Sequence, residues 1–348
     1  MKSKTALITG VTGQDGAYLA RFLLKKKYEV YGTFRRLSSP NFWRLFSLGI
    51  ENDIKYIPAD LVDTSSLTEA IKISKPDEVY HLAAQSYVAS SFEQPLTSGE
   101  FSGLAVTKML ESIRLIDPQI KFYQASSSEL YGKVDSDSQN EKTPFRPQSP
   151  YAVAKLYGYW ITKMYRDGYN MFAVNGIGFN HESPLRGLEF VTRKISNSVA
   201  KIKLGLQKDL KLGNLQAARD WGYAPEYVEA MWKMLQQKNP DDYVISTDEN
   251  HTVKEFAQIA FELVDLDWKK FVKHDKKFHR ILEVKYLKGD SKKARKKIGW
   301  KPKTKFKDIV KIMVDSDVDR WSRWKKGEQF PWDATNYIGE DKTVFRKK

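Results

Sequence analysis

The sequence predicts an α/β fold, a doubly wound parallel sheet with a smaller interleaved lobe, and three observations carry that prediction. Short apolar runs alternate with stretches of helical periodicity through the first half of the chain. The first run ends in a glycine-rich turn, GVTGQDG, that opens a helix. After about Gly178 the pattern loosens into shorter elements. These suit a C-terminal substrate-binding lobe over the sheet's carboxyl edge, where open α/β sheets bind ligands.

In chain order, strands are expected at TALITG, EVYGTF, KYIPAD, DEVYHLAA, KFYQAS and FAVNGIG, with helices over 17–27, 67–74, 104–115 and 155–166. Alternation of this kind implies βαβ units and parallel pairing. Next come a helix near 193–204, a strand at DLKLG, a helix over 226–237, a strand at DYVIS and further helices from 253. Residues 1–178 are assigned to the sheet domain with 214–247 returning to it, 179–213 and 248–325 to the smaller lobe, and 326–348 to a basic C-terminal tail. No repeat, low-complexity segment or clear linker separates the two lobes.

At 348 residues the chain exceeds the usual single domain, and 41% hydrophobic with 29% charged residues is a globular composition. The absence of cysteine excludes disulfides, thiolate zinc sites and cysteine nucleophiles, and no metal centre is expected. The start, MKSKTALITG, has too short an apolar run for a signal peptide, and no stretch approaches the about 20 apolar residues of a membrane span. A cytoplasmic location with no membrane partner is expected. The net charge of +15 is concentrated in KFVKHDKKFHR, SKKARKKIGWKPKTKFKDIVK and FRKK, with no nucleic-acid module around them. A solvated lysine-rich face is therefore favoured over a nucleic-acid groove, and an anionic substrate would profit from the same field.

Gly10, Gly13 and Gly16 fall where a strand turns into a helix, with Gln14 and Asp15 inside the turn. Glycine permits a tight turn and close approach of a pyrophosphate, which the helix N-terminus stabilises, so the sheet reads as Rossmann-type and dinucleotide-binding. The extra residue between the first two glycines is typical of short-chain dehydrogenases. Where an NAD enzyme usually holds an acid, the second strand ends in TFRRLSSPN. Arg35 and Arg36, with Ser38 and Ser39, suit a 2′-phosphate and hence NADP, the alternative being a solvated basic loop. Asp60 and Leu61 are placed at the adenine, and Leu82, Ala83, Ala84, Gln85 and Ser86 at the nicotinamide ribose, though both segments are also ordinary strand ends.

Tyr151 and Lys155 lie one helical turn apart on one face. An ammonium beside a phenol favours the phenolate, which is expected to lower the Tyr151 pKa toward that of a usable base. Ser127, in QASSSELYG, is placed to hydrogen-bond the same substrate hydroxyl. Glu129, two residues on along a segment read as extended, is expected on the same side. Beside a newly formed ketone a C–H is acidic, so a carboxylate there can drive loss of a β-hydroxyl. Taken without the surrounding motif, Glu129 reads as a solvated loop acid.

Over almost its whole length the chain resembles the GDP-mannose 4,6-dehydratases, extended short-chain dehydrogenases/reductases, in ITGVTGQDGAYLA, FRRLSSPN, HLAAQSYVASSFEQP, FYQASSSELYG, PQSPYAVAKLYG, GFNHESPLRGLEFVTRKI and ARDWGYAPEYVEAMWKML. The resemblance implies that Ser127, Glu129, Tyr151 and Lys155 are catalytic, Ser127 standing where many members carry threonine. It implies NADP contacts from Arg35, Arg36, Ser38, Ser39, Asp60, Leu61, His181 and Arg186, and GDP-mannose contacts from Asn180, Lys194 and Arg219. Arg193 and Ser86 are added as substrate candidates, the cations Arg186, Arg193, Lys194 and Arg219 being equally readable as structural ion pairs. Gly178 and Ala152, where a bulkier residue and a glycine are usual, bear on packing alone. The activity implied is conversion of GDP-mannose to GDP-4-keto-6-deoxymannose, in a dimer or tetramer whose arginine loop reaches a neighbouring cofactor site. A keto-sugar reductase or an epimerase of this fold would keep Ser127, Tyr151 and Lys155 with no need of Glu129.

Overall fold

The computed structural model describes residues 3–278 and 281–330. The first strands are β1 (Thr5–Thr9), β2 (Glu29–Phe34), β3 (Lys55–Pro58), β4 (Glu78–His81), β5 (Lys121–Ser127) and β6 (Ala173–Gly178). They are followed by β7 (Asn180–Glu182), β8 (Leu210–Leu212), β9 (Ala218–Arg219), β10 (Trp221–Tyr223), β11 (Tyr243–Ile245), β12 (His251–Thr252), β13 (Val272–His274) and β14 (Tyr286–Leu287). Seven of them form one sheet in the order β11-β6-β5-β4-β1-β2-β3, every pair parallel. The chain winds outward from β1 to β3, then returns to the other side of β1 with β4. That reversal opens a crevice at the carboxyl ends of β1 and β4, the place where such sheets take ligands.

β1 is buried on both faces, as a central parallel strand must be. Ala6 and Ile8 join a layer with Leu19, Leu23, Val228 and Met231, whereas Leu7 joins Val79, Met109, Leu110 and Phe122 on the opposite side. Each Leu, Ile, Val, Met or Phe side chain among these, withdrawn from water, stabilises the fold by about 1.5–3 kcal/mol. A third cluster, including Val199, Trp221, Phe256, Ile309 and Met313, forms the core of the smaller lobe.

The predicted helices are present, and their ends are set by caps that periodicity does not register. Helix Thr64–Ser74 starts where the Asp63 carboxylate accepts the N–H groups of Ser65 and Ser66. Helix Pro150–Tyr169 starts five residues before the predicted 155, because Ser149 caps Ala152 N–H and Pro150 takes the first position. Residues 218–223 pair in the small sheets β12-β9-β14 and β10-β7, and the chain rejoins the large sheet's layers with helix Ala224–Leu235 and β11. Of the basic tail, residues 331–348 lie outside the described residues. Among the described residues no helix is long and apolar enough to cross a membrane.

Candidate active site

The turn after β1 is fixed by close contacts that only glycine allows. Gly10 has φ +71°, and a Cβ on Gly16 would lie 2.3 Å from the Gly10 carbonyl oxygen. Helix Gln14–Lys25 has Gly13 at its N-cap and no side-chain cap, which leaves its first N–H groups suited to an anion. This cradle fits the pyrophosphate of a dinucleotide.

Gln14 and Asp15 turn their side chains elsewhere. Gln14 Nε2 donates to the His181 carbonyl at 3.1 Å and Gln14 Oε1 accepts from Ser183 Oγ at 2.7 Å. Asp15 Oδ2 lies 2.9 Å from His181 Nε2. Burial would raise the Asp15 pKa, but the charge of His181 and their hydrogen bond override it and hold the carboxyl at about 2. The same pair raises His181 against its own burial. Arg44 adds bonds to the carbonyls of Leu185 and Thr12, so the glycine turn and residues 181–185 form one bonded unit.

The remaining cofactor candidates follow the sheet edge. Leu82 and Ala83 donate their N–H groups to Thr9 Oγ1, 3.1 Å each, which holds the turn after β4 against β1. Leu82, Ala84 and Ser86 face the central cavity, whereas Ala83 packs against Gly10 and the Gln85 N–H is held by Ser102. Arg35, Arg36, Ser38 and Ser39 are exposed beyond β2. After β3, Asp60 Oδ1 accepts Val62 N–H at 3.1 Å and Leu61 is buried.

A cavity of about 960 Å³ lies between the sheet's carboxyl ends and the smaller lobe, and Ser127, Glu129, Tyr151 and Lys155 all line it. Lys155 Nζ donates to the Ala125 carbonyl at 2.7 Å and sits 6.0 Å from the Tyr151 ring centroid. Contrary to the expected lowering, burial pushes the Tyr151 phenol up to about 12, even though a hydrogen bond with Ser127 acts the other way. Burial likewise brings Lys155 down to about 8. A low-dielectric pocket penalises phenolate and ammonium alike.

Glu129 reaches the cavity by a route other than strand alternation. β5 ends at Ser127, and Glu129 sits on a 3₁₀ turn, Ser128–Leu130. Its N–H donates to Ser127 Oγ at 3.2 Å, and its carboxylate lies 4.0 Å from Arg219 Nε, both side chains being largely buried.

A family model described as "GDP-mannose 4,6 dehydratase" matches residues 7–313. The chain belongs to the GDP-mannose 4,6-dehydratase family. It is 51% identical over 332 residues to GDP-mannose 4,6 dehydratase 1 of Arabidopsis thaliana, covering 92% of each chain. It is 48% identical over 340 residues to the Homo sapiens GDP-mannose 4,6 dehydratase, covering 90% of this chain and 91% of that one. Among solved structures, a Bacillus anthracis dTDP-glucose 4,6-dehydratase in complex with NAD superposes with a TM-score of 0.80 at 20% identity, over 94% of this chain and 100% of that chain, a likeness of fold. The GDP-mannose 4,6-dehydratases depend on a nicotinamide dinucleotide, in keeping with the glycine cradle.

Of the substrate candidates in this family member, Ser86, Asn180, Lys194 and Arg219 line the cavity, as do His181 and Arg186. Arg186 packs its guanidinium 3.6 Å over the Phe190 ring, and Lys194 Nζ sits 3.4 Å over Phe278. Arg193 is a correction. It is fully buried outside the cavity lining, paired with Asp317 at 2.8 Å, and bonds the carbonyls of Pro184 and Arg186. One position along a helix is a turn of about 100°, which sends Lys194 into the cavity and Arg193 into the lobe. Tyr87, Phe190, Lys276 and Lys277 also line the cavity and escaped the sequence reading. The two lysines belong to KFVKHDKKFHR, read as a solvated face because a charge run carries no sign of what folds over it.

Proposed function

We propose that this chain dehydrates GDP-mannose to GDP-4-keto-6-deoxymannose with a recycled NADP. The observation that carries the reading is the convergence of Ser127, Glu129, Tyr151 and Lys155 on one cavity beside the glycine cradle. A nicotinamide dinucleotide held at the glycine cradle would supply reversible hydride transfer with the sugar, so the overall reaction carries no net redox change. The Ser127 hydroxyl orients the C4 hydroxyl, and Tyr151 takes its proton in the phenolate form, which the Ser127 hydrogen bond favours against burial. Lys155, fixed to the Ala125 carbonyl, supplies positive charge on the Tyr151 side of the site. Glu129 removes the C5 proton and passes it to the C6 hydroxyl, which departs as water, with Arg219 Nε 4.0 Å from that carboxylate.

The diphosphate would take the cations around the cavity, Arg186, Lys194, Arg219, Lys276 and Lys277. Arg35 and Arg36, exposed where β2 ends, favour NADP over NAD. Among the described residues, we read 3–178 with 224–247 as the cofactor domain and the others as the substrate lobe, in a cytoplasmic enzyme. Self-association is supported by an exposed stripe at helical spacing, Val153, Tyr157, Trp160 and Met164, on helix Pro150–Tyr169.

The test is incubation with catalytic NADP and a panel of sugar nucleotides, followed by mass analysis. GDP-mannose should lose one water without accumulating NADPH. Stoichiometric NADPH with an intact hexose would overturn the reading.

A further inference from the structure

The helical run from Pro95 to Ile116 is interrupted by a π segment, Glu100–Leu104. Such segments are rare and gather at functional sites, because the extra residue re-aims neighbouring side chains. Here three successive residues reach three separate parts of the cofactor side. Phe101 sets its ring centroid 5.7 Å from the Arg35 guanidinium carbon. Ser102, only 1% exposed, accepts the Gln85 N–H at 3.2 Å. Gly103 packs on helix Pro150–Tyr169, where an added Cβ would lie 3.3 Å from the Ala154 carbonyl oxygen, next to Lys155.

Arg35 is exposed, and an exposed arginine loses conformational entropy when it grips a ligand. An aromatic face can hold a guanidinium without occupying its N–H donors, which leaves the fork free for a phosphate. We propose that Phe101 is a specificity-determining, positioning residue for a 2′-phosphorylated dinucleotide, serving as a shelf that pre-orients Arg35. The inference rests on the reading of Arg35 as the 2′-phosphate ligand. The π segment then links that recognition to the turn after β4, through Ser102, and to the helix bearing Tyr151 and Lys155, through Gly103.

The test is calorimetric titration of the full chain with NADP and with NAD. Phe101→Leu keeps apolar bulk and should weaken NADP about two- to five-fold while leaving NAD unchanged. Phe101→Tyr should restore NADP affinity, and Phe101→Met should reproduce the loss if the leucine variant proves unstable. In an Arg35→Ala background Phe101→Leu should have no further effect on NADP. Equal weakening of both dinucleotides, or a loss that persists in the Arg35→Ala background, would overturn the role of Phe101 and leave the Arg35 reading standing. Unchanged NADP affinity in Arg35→Ala alone would remove that reading, and this inference with it.

Discussion

Glu129 donates its main-chain N–H to the Ser127 hydroxyl oxygen over 3.2 Å, so one short turn sets both the proposed base and the hydroxyl proposed to frame the substrate. Glu129→Gln keeps this main-chain bond and removes only the carboxylate. In a single turnover with GDP-mannose, NADPH absorbance should rise while water loss and deuterium entry at C5 fall by about 10²-fold or more. Wild-type deuterium entry would show that Glu129 is not the base.

The glycine turn should tolerate change unequally. Gly16→Ala brings a methyl within 2.3 Å of the Gly10 carbonyl oxygen and 2.7 Å of Val11 Cα, whereas on Gly13 the nearest atom is 3.2 Å away. Gly16→Ala is expected to cost about 1–3 kcal/mol and to weaken dinucleotide binding, with Gly13→Ala much milder for the fold. Denaturant melts of both variants check this, and equal stability would mean that the turn relaxes.

Adjacent cations should fail in opposite ways. Arg193→Ala removes the nearest cation from the buried Asp317 carboxylate, leaving it Ser196 at 2.6 Å and Arg320 at 4.0 Å, and should cost about 3 kcal/mol of stability, with little change in KM for GDP-mannose in the protein that stays folded. Lys194→Ala, in the cavity lining, should raise KM several-fold at nearly unchanged melting temperature. The reverse pattern would restore Arg193 to the substrate site.

The Asp15–His181 pair gives stability a defined pH window. Asp15 titrates below its ordinary 3.8, at about 2, so its contribution is complete above 3.8 and is lost as pH falls through about 2. His181 is held above its ordinary 6.5, so its contribution is complete below 6.5 and is lost as pH rises through the raised value. The melting-temperature gap between wild type and Asp15→Asn should therefore be widest from about pH 4 to 6.5, on the order of a few degrees, and should shrink on either side. A gap unchanged from pH 5 to 9 would show that the pair is not ionised as described.

The sheet was legible in the sequence because parallel strands buried on both faces read as apolar runs, and β1 to β6 fall on the six runs named. Tyr151 and Lys155 were legible for a similar reason, since helical spacing alone puts i and i+4 on one face. Glu129 lines the same cavity as Ser127 by a route other than the one expected, for the strand it was thought to extend stops at Ser127 and a turn carries it there. What stayed hidden depends on contacts between distant segments. Neither the capture of Asp15 by His181 nor that of Arg193 by Asp317 leaves a periodic trace, and the cavity whose burial raises the Tyr151 phenol is lined by residues far apart in the chain.

The pairing of β11 with β6 also bears on how the protein is made. Asp242, just before β11, bonds Arg166 and Asn175, and Tyr243 registers against Gly176, so a growing chain leaves these buried groups without their acid until that stretch emerges from the ribosome. Until then β6 is an open parallel edge, the kind of template on which nascent chains stick to one another. A premature stop between Gly178 and Tyr243 would therefore yield a fragment prone to aggregate rather than a feeble dinucleotide binder. Quality-control factors would meet such a fragment long before any substrate did.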